Sequence, residues 1–118
     1  MSMEPPEQLI ERVERNRTIL RVQGGREEDI LEQLGQRKRA YLREVQEAKT
    51  ESGKPIFSNE QARELAVKER TDNDQEYRAW KEELKNVQLA IQEAKDDIEV
   101  CEWKLKLHLA RLSMFRSS

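Results

Sequence analysis

The chain is short of almost everything from which catalytic, disulfide-bonded or membrane-spanning folds are built. It has a single cysteine, Cys101, so no internal disulfide can form, and a lone thiol suits a reducing cytoplasm. It has a single histidine, His108, and one His with one Cys makes no metal cluster of recognisable spacing. Four glycines and three prolines are too few for a loop-rich or all-β fold, and aromatic residues make up only 5%. No apolar run approaches the roughly 20 residues that span a bilayer. The opening Met-Ser-Met-Glu-Pro-Pro lacks the basic flank and apolar stretch of a signal peptide, so the expected location is cytoplasmic.

What remains is charge, at 39% of 118 residues, arranged with a helical period. Such a composition is either disordered or folded into long helices washed by solvent, and periodicity decides between the two. Stepping by three and four from Tyr77 gives Trp80, Leu84, Val87, Ile91, Ala94, Ile98, Cys101, Leu105, His108, Leu112 and Phe115. Only His108 breaks an apolar seam, and no glycine or proline interrupts the run. This is a heptad pattern, and it predicts one long helix over about 74–116. The same ruler laid from Ile10 gives Val13, Arg17, Leu20, Gly24, Glu27, Leu31, Leu34, Lys38, Tyr41, Val45 and Ala48, with Arg17, Gly24, Glu27 and Lys38 misplaced for a core. Leu9, Ile30 and Leu42 fall beside that seam.

The first arm therefore covers about 6–50, opened by Pro5 and Pro6, which suit a first helical turn. Gly24-Gly25 either breaks it into two helices or sits in one kinked helix, where it would allow close approach at Cys101. Gly53 and Pro55 end the arm, and residues 51–73 form a connector. A capping box of Ser58 and Gln61 predicts a short connector helix over about 59–70, with Ala62, Leu65 and Ala66 on one face. A second box, Asp72 with Gln75, opens the long helix. The expected fold is all-α: a single helical domain, 1–118, shaped as an antiparallel coiled-coil helical hairpin with a short helix in the connector. Matching the two seams end to end makes facing residue numbers add to 125, which sets Ala48 opposite Tyr77, Val45 opposite Trp80 and Gly24 opposite Cys101.

Two helices leave too small a core to stand alone. A second apolar stripe, Val100, Trp103, Leu107, Ala110 and Met114, runs away from the first seam, and Leu109 adds to it. A helix apolar on two sides suits more than one partner helix, so the expectation is a homo-oligomer, a dimer first, packed as a helical bundle through those five residues. The alternative covering is residues 6–22, swung back at Gly24-Gly25.

Enzymatic motifs are absent. Cys101 and His108 lie seven residues apart on one face, roughly 10 Å by helix rise, too far for a nucleophile and its base. No catalytic, cofactor-binding or metal-binding residue is expected, and the protein is read as no enzyme. Charge is unevenly placed although the net value is only -2. Residues 7–26 carry five arginines against three glutamates, and 100–118 carry four basic residues against Glu102. Candidate nucleic-acid contacts are Arg12, Arg15, Arg17, Arg21, Lys104, Lys106 and Arg111, with a second basic cluster at Arg37-Lys38-Arg39. The competing reading is a set of solvated helix faces. In the connector, Pro55, Ile56 and Phe57 are candidate partner-binding residues unless they pack onto Leu65 or Trp80.

The stretch Gly53-Lys-Pro-Ile-Phe-Ser-Asn-Glu-Gln-Ala-Arg63, followed by Asp74-Gln-Glu-Tyr77 and a long heptad helix, resembles small coiled-coil proteins of bacteria and their prophages. The likeness covers roughly residues 40–116 and excludes Gly24-Gly25. It implies a neighbourhood of nucleic-acid metabolism and transfers no catalytic residue. The functional expectation is a non-enzymatic helical-hairpin adaptor or scaffold, acting through self-association and an unidentified protein partner. The alternative is a DNA-binding accessory protein of bacterial or phage DNA metabolism.

Overall fold

The computed structural model describes residues 3–116 and contains three helices: α1, Pro6–Glu47; α2, Glu60–Asp72; and α3, Gln75–Arg116. No strand occurs among the described residues, and α1 packs antiparallel against α3 as a hairpin. None of the helices is long and apolar enough to cross a membrane. The chain divides into two compact units: residues up to Arg26 with those from Val87 onward, and Glu27–Asn86.

α1 is continuous through Gly24-Gly25, so the two-helix reading of the first arm is not what forms. Nor do the glycines serve a close approach: a Cβ added at either position would meet no atom within 4 Å. Their cost in helix propensity, about 1 kcal/mol each, is offset by propagation from both sides of a 42-residue helix.

In the first unit the core is built from Leu9, Val13 and Cys101, with Leu105 packed against it. Leu9 is fully buried while its neighbour Ile10 is 48% exposed, so the seam of α1 lies one residue away from the Ile10 ruler at alternate steps. The inward positions run Leu9, Val13, Asn16, Leu20, Gln23, Glu27, Ile30, Leu34, Arg37, Tyr41 and Val45, all buried or half-buried. Three of the four misfits, Arg17, Gly24 and Lys38, thereby leave the seam, and Ile30 enters it fully buried. On α3 the expected seam holds from Tyr77 to His108, but Leu112 and Phe115 are exposed.

The second unit explains the ends. Asn59, not Ser58, caps α2, its Oδ1 accepting from the Ala62 N–H at 2.7 Å. α2 turns Ala66 and Val67 inward, leaving Leu65 exposed, and together with Val45 they form a core on which Tyr41 and Phe57 pack. Val45 is thus covered by α2 rather than by Trp80. Asp74, not Asp72, caps α3, its Oδ1 accepting from the Tyr77 N–H at 2.9 Å. Within the connector Lys49 and Pro55 form an antiparallel bridge, closed by a Thr50–Gly53 turn whose φ of 81° at Gly53 requires glycine.

The register follows. Glu4 meets His108 and Tyr41 meets Asp74, so facing residue numbers add to 112 and 115 rather than 125. The end-matched register is overturned by 13 and by 10 positions: Cys101 faces Leu9 and Val13 instead of Gly24, and Val45 faces α2. The physical cause in the second unit is α2. It occupies the side of α1 at Val45, so α3 starts level with Arg37 and Tyr41.

Candidate interaction surfaces

At the terminus end of the hairpin, Glu4 accepts from Arg12 Nη1 at 2.6 Å and from Lys104 Nζ at 2.9 Å. Arg12 also binds Asp97, and Asn16 Nδ2 donates to the same carboxylate at 2.6 Å. Hydrogen bonding from Arg12 holds the carboxyl groups of both Glu4 and Asp97 below their ordinary range. His108 Nε2 donates to the Glu4 carbonyl at 2.8 Å, since a carbonyl can only accept. That bond ties the segment before α1 to α3 and gives the polar seam position at His108 a structural occupation. Cys101 lies beneath this network, and burial pushes its thiol pKa up, away from the reactive thiolate.

This geometry removes two members from the basic candidate set. Arg12 is shared between two carboxylates and Lys104 is paired with Glu4. Arg15, Arg17, Arg21, Lys106 and Arg111 are exposed, but Arg15 stands beside Glu11 and Glu14 around a shallow, open hollow on α1. The second basic cluster also loses a charge: Arg37 donates to Asp74 at 2.6 Å, pairs with Glu76 and covers the Trp80 ring at 4.8 Å. Asp74, bonded by the Tyr41 hydroxyl, the Tyr77 N–H and Arg37, has its pKa lowered to about 2. Sequence reasoning missed Glu4, Asn16, Asp74 and Asp97 because their side-chain partners across the hairpin lie 33 to 100 residues away.

The connector candidates separate. Phe57 packs on Val45, Ala66 and Val67, not on Leu65 or Trp80. The Arg70 guanidinium stands 5.7 Å from its ring, and Arg63 Nη1 donates to its carbonyl at 3.3 Å. Pro55 and Ile56 remain exposed.

The apolar stripe of α3 is in water. Val100, Trp103, Leu107, Ala110 and Met114 are all exposed, Trp103 to 62%, as are Leu109, Leu112 and Phe115. No group of three or more His, Cys, Asp or Glu residues is placed to hold a metal ion among the described residues. Compared with known protein families, curated proteins and solved structures, the chain matches none.

Proposed function

We propose that this protein is a non-enzymatic helical-hairpin adaptor that self-associates through the end of α3 and offers helical surfaces to a protein partner. The exposed stripe of Val100, Trp103, Leu107, Ala110 and Met114 carries the reading. A helix apolar on both faces is ordinarily covered on both, and α1 covers only one. Cys101 and His108 are occupied in packing and in the bond to Glu4. Light scattering over a wide range of protein concentration tests the proposal. The expected result is a mass of two chains or more that falls towards one chain in Trp103→Glu; a single-chain mass throughout overturns it.

A second reading, a DNA-associated accessory protein, draws on Arg15, Arg17 and Arg21, which are exposed. Labelled single- and double-stranded DNA titrated at low and near-physiological salt separates the two readings. Phosphate contacts by these arginines would make the salt slope shallower when all three become glutamine, by about 0.7–0.9 per lost contact. Binding that vanishes near physiological salt leaves the adaptor.

A further inference from the structure

The two compact units are drawn from the chain in different ways, and that difference sets the order in which they come apart. We propose that the terminus-end unit is a conformational device: it opens as one cooperative piece, with α1 parting at Gly24-Gly25, while Glu27–Asn86 stays folded. The proposal concerns the single chain and stands apart from the self-association reading.

Distance along the chain comes first. Glu27–Asn86 is one unbroken stretch. The bonds that tie α1 to the start of α3 within it, from Tyr41 and Arg37 to Asp74 and from Arg37 to Glu76, join residues 33 to 39 positions apart. α2 gives this stretch a core of its own, with Val45, Ala66 and Val67 buried together. The terminus-end unit is instead made from the two ends of the chain. Its bonds across the hairpin, from Arg12 and Asn16 to Asp97 and from Lys104 and His108 to Glu4, join residues 81 to 104 positions apart. Closing a loop costs more entropy the longer the loop, and a folded Glu27–Asn86 has already closed most of this one. The ends therefore close on a folded Glu27–Asn86, whereas that stretch needs nothing from the ends to close its own shorter loop.

The point of parting is set by α1. Gly24 and Gly25 stand at the edge of the terminus-end unit, and glycine is the weakest helix former short of proline. A methyl group at either position would meet nothing within 4 Å, so no close packing there compensates the loss. The flanking inward positions, Gln23 and Glu27, are polar and only half-buried, which leaves little apolar burial to hold this turn. Just beyond them Ile30 is fully buried. The terminus end is held shut by Leu9, Val13 and Cys101 with Leu105, and by Glu4 clasped to Lys104 and His108. Opening frees α1 before Gly24 and bares the inward face of α3 at Ala94, Ile98 and Cys101.

Amide hydrogen exchange of the full chain under native conditions, followed by two-dimensional NMR, reads both halves of α1 in one molecule. Protection, corrected for intrinsic rates, is expected to be at least about tenfold lower over residues 13–20 than over 34–45. It should also fall less steeply with added urea over 13–20, because a partial opening exposes less surface than a complete one. Tyr41→Phe removes one hydrogen bond to Asp74 and is expected to lower protection over 34–45 about tenfold. Residues 13–20 should be unchanged by it, since their opening leaves Tyr41 in place. Equal protection and equal urea slopes in the two halves of α1 overturn the proposal, because the hairpin then opens only as a whole. A loss in Tyr41→Phe shared equally by residues 13–20 overturns it for the same reason, and so does greater protection over 13–20 than over 34–45.

Discussion

The hydroxyl of Tyr41 donates to Oδ2 of Asp74 at 2.6 Å, while Oδ1 of the same carboxylate accepts the Tyr77 N–H that opens α3. One side chain therefore caps a helix and fixes that helix against α1. Arg37 adds a charged donor to Oδ2. The start of α3, and with it the register of this unit, hangs on that carboxylate.

Asp74 gives a pH prediction. Its folded pKa is lowered from 3.8 to about 2, with the Tyr41 hydroxyl the largest cause. A lowered carboxylate pKa contributes stability that is present above the unfolded value and lost as pH falls through the folded one. Thermal unfolding followed by circular dichroism is expected to show a melting temperature falling between about pH 4 and 2. Asp74→Asn should remove most of the part of that slope due to this residue, and an unaltered slope would contradict the assignment.

The seam of α1 is tested by two adjacent residues. Leu9→Ala removes a fully buried side chain and should cost roughly 2–4 kcal/mol in urea denaturation. Ile10→Ala, at a position 48% exposed, should stay within about 1 kcal/mol. The Ile10-based ruler requires the opposite order.

Gly24→Ala and Gly25→Ala should each stabilise the chain by about 1 kcal/mol, since the added methyl meets nothing within 4 Å and alanine favours helix. The readout is the urea midpoint at unchanged slope. Destabilisation would mean that a contact forms at these glycines in solution.

Cys101 should resist modification by a disulfide reagent in the folded protein and react fully in denaturant. Its side chain is buried and its pKa is raised, first of all by desolvation. Rapid reaction in native buffer would show that the Leu9, Val13 and Cys101 core opens readily.

Heptad spacing is a local property of the chain, so the amino-acid order by itself determined the short connector helix, the hairpin and the long helix α3 with its inward face from Tyr77 to His108, but left open whether the first arm was one helix or two. On α1 the same spacing was ambiguous, because Leu9-Ile10 and Ile30-Leu31 each offer two apolar neighbours, and a ruler started on either fits nearly as well. Only packing chose Leu9 and Ile30, relieving Arg17, Gly24 and Lys38 of core positions. The register was likewise settled in three dimensions: seams of equal length favour matched ends, but α2 lies on Val45 and the pairing there is displaced by 10 positions, about one and a half heptads. The basic candidates were visible as residues, whereas their neutralisation was not, since Glu4 reaches Lys104 across 100 positions of sequence. The exposed stripe on α3 was legible from its period, because apolar spacing is written in the order of residues. That α1 leaves Leu112 exposed as well follows from the register, and register is a property of the assembled hairpin.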